Sequence, residues 1–289
     1  MNGLDLRALE IFRAVASEGS VSKAAQKLNR VQSNVSTRVK QLEEQLGIVL
    51  FERQGRGLAL TSEGRLLLSY AEQLHELSAE TVEALKDGKP RGTFRLGTME
   101  STAAARLPAI LSRYHVQYPD VDFVLQTATA AALIESLLSY EIEAAFLAEP
   151  VNVGRIETMP VFKERLVLVA PSTYPPLKRI AEISGRTMIA FEEGCAYRRY
   201  LQDWLLETGI VPGGVVVVNS YLAILACVTA GTGFAVVPQS VLDVVSTEGQ
   251  FRFYPLPGKL ARITTLLAWR TNHHSARLEA LKELLPGRR

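Results

Sequence analysis

Cysteine is nearly absent from this chain. Cys195 and Cys227 are the only two in 289 residues, too few for a disulfide framework and wrongly spaced for a zinc motif. Histidine is scarce as well, with four. His273 and His274 are adjacent rather than i, i+4, so they do not share one helix face, and no metal site is expected. Nowhere do eighteen apolar residues run together, which argues against a membrane-spanning helix. The apolar stretch Leu6–Ala16 is interrupted by Arg7, Glu10 and Arg13. It does not read as a signal peptide, and the cytoplasm is the expected compartment. Gly231-Thr232-Gly233 is too short for a dinucleotide-binding loop, and no cofactor is expected. Internal repeats and low-complexity segments are missing too.

What is present is enough for more than one core. A chain of 289 residues with 47% hydrophobic content is expected to form two or more domains. The net charge is only +2, yet seven Lys and Arg between Lys23 and Arg56 face only Glu43, Glu44 and Glu52, so the basic charge is concentrated near the start.

That basic segment has helical spacing. Val21, Ala24, Ala25 and Leu28 lie on one helix face, with Ser20 ahead of them as an N-cap. After the polar turn Asn29-Arg30, Val35, Val39, Leu42 and Leu46 form a second apolar face, with Gly47 as its C-cap. At 100° per residue, Ser33, Thr37, Lys40 and Gln41 lie opposite that face, flanked by Asn34 and Ser36. Two short helices across a tight turn match a helix-turn-helix. Short hydroxyl and amide side chains at a helix start allow close approach to base edges, while Arg30, Arg38 and Lys40 can neutralise phosphates. Patterning alone fits a plain solvated face equally well, but the flanks favour DNA. Upstream, Leu6, Leu9, Phe12 and Val15 suit a supporting helix. Downstream, Val49-Leu50-Phe51 and Leu58-Ala59-Leu60 read as two strands around the turn Gly55-Arg56-Gly57, a wing with Arg53 and Arg56 at its bend.

Residues 4–64 resemble the N-terminal domain of the LysR-type transcriptional regulators. The match is carried by S-V-S-K-A-A-Q-K-L, Q-S-N-V-S-T-R-V-K-Q-L-E-E-Q-L-G, L-F-E-R and L-T-S-E-G. Asn34 stands where the family usually has a small apolar residue, and Arg38 where Gln is common, so operator sequence does not carry over. The expected DNA contacts are Arg30, Gln32, Ser33, Asn34, Ser36, Thr37, Arg38, Lys40, Arg53 and Arg56.

Residues 62–87 place Leu67, Leu74 and Thr81 in alternation with Tyr70, Leu77 and Ala84 at heptad spacing. Such a narrow seam either pairs with a second copy or packs on its own domain. The resemblance implies linker-helix dimers, and a tetramer built from two of them. Asp87-Gly88-Lys89-Pro90 and Gly92 read as a hinge. Beyond it strands and helices alternate, which predicts an α/β fold with mainly parallel sheets and ligands at their carboxyl ends. The helices expected include one over Ala103–Tyr118. The resemblance implies two lobes like a periplasmic binding protein, with chain crossings near Pro160–Phe162 and Ile263–Leu266. The division expected is a winged helix-turn-helix over 1–61, a linker helix and hinge over 62–91, and an effector domain over 92–289. Lobe I covers about 92–161 and 267–289, and lobe II about 162–266.

Ser101 and Thr102 follow the first strand of that domain and are either a plain cap or part of an effector cleft. Cys195 and Tyr197 fall at a later helix start. Arg198 in that helix's first turn opposes the helix dipole, which calls for either an anionic ligand group or a salt bridge to Glu192 or Glu193. Thr127, Thr129 and Phe146 occupy strand ends in the first lobe, and Tyr221 and Gly231 lie on turns in the second. Glu100, Glu149 and Glu193 against Arg198 ring the expected cleft with both charge signs.

Catalysis lacks support, because the carboxylates have no His or metal cluster beside them. A transport binding protein would need an export signal. A redox sensor would need the helix start to lower the Cys195 pKa, while Cys227 looks buried. The reading is an effector-responsive regulator. Its expected partners are a double-stranded, dyad-symmetric operator, a small polar metabolite of the amino acid, polyamine or carboxylate class, further copies of the chain, and RNA polymerase.

Overall fold

The structure is a computed structural model and describes residues 4–55, 57–85, 88–245, 251–256 and 258–286. Contacts divide it into two units, one built on residues 1–88 and the other on residues 89–138 and 142–289. No helix among the described residues is long and apolar enough to cross a membrane.

The first unit opens with α1 (Leu6–Glu18), α2 (Val21–Lys27) and α3 (Gln32–Leu46). Asp5 caps α1 and Ser20 caps α2, each side chain accepting a backbone N–H from the first turn. Gly47 ends α3 at φ 68°. Ile11 and Val15 of α1 bury against Ala24, Ala25 and Val35. Leu9 and Phe12 bury against Leu42 and Leu50. Leu6, expected in this supporting face, is exposed: at the helix's first position it projects beyond the partner helices. The wing is β1 (Phe51–Gln54) paired antiparallel with β2 (Gly57–Leu60). Arg53 sits opposite Leu58 on the strand itself rather than at the bend.

Two side chains fasten the wing. Glu43 of α3 accepts the Leu50 amide at 2.7 Å and the Phe51 amide at 3.3 Å. Thr61 donates to the Val49 carbonyl at 2.8 Å and accepts the Gly64 amide at 2.9 Å. That brings α4 (Ser62–Ala84) against the wing so closely that a Cβ at Gly64 would lie 2.2 Å from the Leu50 carbonyl oxygen. Only a glycine tolerates this approach, which explains the last residue of L-T-S-E-G.

The predicted α4 seam divides. Leu67 is buried with Ala71 in the core of its own unit, so it belongs to the intramolecular face. Tyr70 and Leu77, at 55% and 60% exposure, share a solvent-facing stripe with Leu66 and Leu74. Asp87 of the expected hinge and the side chain of Ala84 lie outside the described residues.

The second unit is α/β, and its sheets are mixed rather than mainly parallel. β3 (Gly92–Thr98) pairs parallel with β4 (Val121–Thr127) and β5 (Ala144–Ala148). The long β6 (Ile156–Pro171) pairs antiparallel with β11 (Arg262–Arg270), with an irregularity at Thr265/Leu266. β9 (Ala235–Pro238) and β10 (Phe251–Pro255) also pair antiparallel with β6. An outgoing and a returning strand lying side by side must run in opposite directions, which strand counting alone does not show. β7 (Thr187–Ala190) and β8 (Gly214–Val217) form a small parallel pair. The single helix expected over Ala103–Tyr118 is two, α5 (Glu100–Ala105) and α6 (Leu107–Gln117), broken at Arg106: Pro108 has no N–H to donate to the preceding turn and is tolerated only in a helix's first turn, where α6 places it. The other helices are α7 (Ala130–Leu138), α8 (Ala196–Thr208), α9 (Tyr221–Thr229), α10 (Gln239–Val244) and α11 (Ala276–Leu284).

Two large cores result. One joins Phe94, Leu96, Leu107, Tyr114, Phe146 and Leu281. The other joins Leu168, Ile189, Leu201, Ile224, Phe234 and Val237.

Candidate functional site

The outer face of α3 is chemically uncommitted. Gln32, Ser33, Asn34, Ser36, Thr37, Arg38 and Lys40 are all exposed, as are Arg30 and Arg53. Gln32 accepts from Ser22 of α2 at 3.1 Å, and Lys40 pairs with Glu44 at 3.7 Å on the surface. Ser33, Asn34, Ser36, Thr37 and Arg38 hold no side-chain hydrogen bond or ion pair among the described residues. Asn29 turns the chain between α2 and α3 at φ 53°, a left-handed conformation that Asn tolerates. Arg56 lies outside the described residues.

In the second unit a cavity of about 120 Å³ opens where β3, β4, β7 and β8 end and α5, α7, α8 and α9 begin. Its lining includes Ser101, Thr127, Thr129, Cys195, Tyr197 and Tyr221. The turn at Gly194 comes close to its far wall: a Cβ there would stand 3.1 Å from Thr129 Oγ1.

Four residues expected in this lining are elsewhere. Thr102 is buried behind Ser101, since successive residues of α5 point 100° apart. Phe146 is fully buried and stacked on Phe162, with ring centroids 6.1 Å apart, on the core side of β5. Gly231 accepts from Tyr174 through its carbonyl and lies outside the cavity. Arg198 donates to the Phe191 carbonyl at 2.9 Å and pairs with Glu193 at 3.7 Å, so the salt bridge is realised; its Nε is buried without a partner, and the side chain is not in the cavity's lining. Glu149 is occupied as well, its carboxylate accepting the Thr264 amide at 2.7 Å.

Glu192, Asn219, Phe191 and Met99 line the cavity without having been assigned to it from sequence. Glu100, expected only as part of the charged rim, is the most telling group. Its Oε1 accepts the Tyr221 amide at 3.2 Å, joining α5 to the start of α9. Its Oε2 is buried and has no partner. Burial raises the Glu100 carboxyl above its ordinary value, opposed by the Tyr221 amide. The Tyr197 hydroxyl is likewise buried; Ser101 and Thr265 stand near enough to influence it, but none completes a hydrogen bond with it. Burial, reinforced by Glu164, pushes this phenol up, and burial pushes the Tyr221 phenol well up. The Cys195 thiol is also raised, because burial outweighs the helix-start amides. That reverses the lowered value a redox sensor would need, and both cysteines are free.

Behind the cavity a buried ion pair braces the fold. Glu164 of β6 accepts from Arg106 at 2.7 Å and from Ser240 of α10 at 2.7 Å. These charges serve each other, and their partners lie too far along the chain for sequence reading to have found them.

Comparison with known proteins agrees across the whole chain. Residues 6–65 match the bacterial regulatory helix-turn-helix protein, lysR family, and residues 87–288 match the LysR substrate binding domain. The HTH-type transcriptional regulator SoxR of Arthrobacter sp. (strain TE1826) is 36% identical over 270 residues, covering 93% of this chain and 92% of that one. CzcR of Bacillus thuringiensis subsp. konkukian (strain 97-27) is 36% identical over 286 residues, covering 97% and 98%. Among solved structures, a full-length OxyR variant from Pseudomonas aeruginosa superposes with a TM-score of 0.78 at 22% identity, covering 98% of this chain and 95% of that one. Full-length CbnR complexed with its target DNA superposes at 0.68 and 22% identity, covering 98% and 99%.

Proposed function

This chain belongs to the LysR family, as a DNA-binding transcriptional regulator with an effector-binding domain and not an enzyme, and from that premise we propose that it reads a dyad-symmetric operator and answers to a small polar metabolite held in the cavity between β3/α5 and β7/α8. In this reading residues 1–61 bind DNA, residues 62–91 link and pair two copies, and residues 92–289 hold the effector. Further pairing gives a tetramer, and RNA polymerase is the partner that receives the signal.

The observation that carries the DNA half is the α3 face: five neighbouring polar side chains, exposed and without a side-chain partner among the described residues. Ser33 and Thr37 are one turn apart and suit base edges. Arg53 on the wing suits phosphate. Selection from random duplexes by the wild-type chain should return an inverted repeat. Thr37→Ala should return a relaxed version of it. Arg53→Ala should return the same repeat at several-fold lower affinity. A direct repeat, or a changed consensus from Arg53→Ala with none from Thr37→Ala, would reverse these roles.

For the effector, support comes from the cavity together with two buried polar atoms in its lining that lack partners, Glu100 Oε2 and the Tyr197 hydroxyl. A ligand engaging α5 and α9 together binds one lobe arrangement better than another, which is what shifts a population.

A further inference from the structure

Resting on the reading of the cavity as the effector site, we infer that the cavity selects a cation, a small ammonium compound, and that Glu100 is the group that receives it.

The argument begins with the charges that line the space. Among the lining residues the carboxylates are Glu100 and Glu192, and none is Lys, Arg or His. Arg198, the nearest cation in the sequence, lies outside the lining: it donates to the Phe191 carbonyl and pairs with Glu193, while its Nε is buried without a partner. The remaining ionisable lining groups are Tyr197, Tyr221 and Cys195, which burial keeps in their neutral forms. An anionic ligand would meet two carboxylates and no counter-charge. A cation meets a carboxylate oxygen that is already out of water and has nothing to bind.

Leaving such an oxygen unpaired is costly. An N–H donor carrying positive charge is the partner that recovers most, because charge-assisted hydrogen bonds are about twice as strong as neutral ones. The rings of Phe191 and Tyr221, 4.8 Å apart between centroids, stand in the same lining and suit the alkyl groups beside an ammonium or the cation itself. The second orphan, the hydroxyl of Tyr197, belongs to a side chain only 4% exposed. It can both donate and accept, so it offers a place for a polar group at the ligand's other end.

The volume makes the ligand small. At about 120 Å³ it is comparable to a cavity of about 150 Å³ that takes a benzene-sized molecule. Glu100 also joins α5 to α9 through the Tyr221 amide. The cation therefore binds on the contact that ties the two halves of the cavity together, where binding energy bears directly on their arrangement.

Two size-matched series separate charge from shape. One is ethanolamine, ethylene glycol and glycolate; the other is 1,4-diaminobutane, 1,4-butanediol and succinate. Thermal unfolding and calorimetry of the full chain are run with each at millimolar concentration. In at least one series the ammonium member should raise the unfolding temperature above its diol, while the carboxylate does not. Glu100→Gln, whose carbonyl can still accept the Tyr221 amide, should weaken ammonium binding tenfold or more and leave the diol unchanged. Should Glu100→Gln fail to fold, Glu100→Asp retracts the charge by one methylene and should weaken the ammonium alone.

A carboxylate that stabilises more than its ammonium counterpart, with the effect lost in Ser101→Ala, would overturn the charge assignment and leave the cavity as the effector site. An ammonium effect that survives both Glu100→Gln and Ser101→Ala would put the ligand elsewhere and overturn both. No ammonium compound exceeding its diol would overturn the inference.

Discussion

Glu143 shows how much one buried charge can organise. It is 3% exposed, yet it accepts from Arg277 at 3.1 Å and from Ser275 at 3.2 Å. Arg277 in turn donates to the Arg91 carbonyl at 2.9 Å, tying α11 to the residues just before β3. Burial by itself would raise this carboxyl; His273, with its Nε2 3.8 Å away, and the Arg277 charge outweigh it and hold the group below its ordinary value of 4.5. A carboxyl lowered on folding adds stability above its unfolded value, and that stability fades as pH falls through the folded one. Glu143→Gln should therefore destabilise the effector domain by about 3 kcal/mol at neutral pH, since it strands a buried guanidinium. The gap to wild type in urea unfolding should narrow as pH falls below 4.5. A gap independent of pH would mean the charge is not what matters.

At the scale of the element, α4 separates two roles on one helix. Leu67 and Ala71 face the unit's own core, while Leu66, Tyr70, Leu74 and Leu77 leave an apolar stripe in solvent. Heptad spacing alone had put Leu67 with Tyr70 and Leu77, because 3.5 and 3.6 residues per turn differ little over two turns. The exposed stripe is the one expected to meet a second copy. Leu77→Glu places like charges in such a contact, and light scattering should record a lower mass with the helical signal intact. Leu67→Ala should instead cost about 2–4 kcal/mol of stability in the first unit and leave the mass unchanged. The opposite outcomes would exchange the two faces.

Across the whole molecule, charge is distributed by function. The chain carries only +2 overall, but the α3 face and wing present Arg30, Arg38, Lys40 and Arg53 together in solvent. In the second unit the pairs Arg106–Glu164 and Arg277–Glu143 bind their charges into the fold. The five basic residues expected to contact DNA, Arg30, Arg38, Lys40, Arg53 and Arg56, make about ten phosphate contacts in a dimer. The slope of log affinity against log salt should then be about −9, at about −0.9 per phosphate contact. A gel-shift series over salt measures this, and a much steeper slope would require phosphate contacts from the second unit.

The sequence by itself determined the helix-turn-helix, its wing and the family. These depend on neighbours three to ten residues apart, and local spacing records which face such residues share. It also anticipated alternating strands and helices in the second unit, but not the mixed pairing of its sheets or the break at Arg106. Where polar side chains end up was decided only by tertiary structure. Glu43 looked like a stray acid in a basic segment, yet it accepts the Leu50 and Phe51 amides. Arg198 left an anionic ligand and a salt bridge both open, and the fold pairs it with Glu193 and the Phe191 carbonyl. Phe146 looked like a strand end at the cleft, yet it stacks on Phe162. Glu100 has its partner amide 121 residues away. A polar group takes whichever partner the fold brings within about 3 Å, and periodicity records which face a residue shares, not which atom its side chain reaches, whether seven residues away or a hundred.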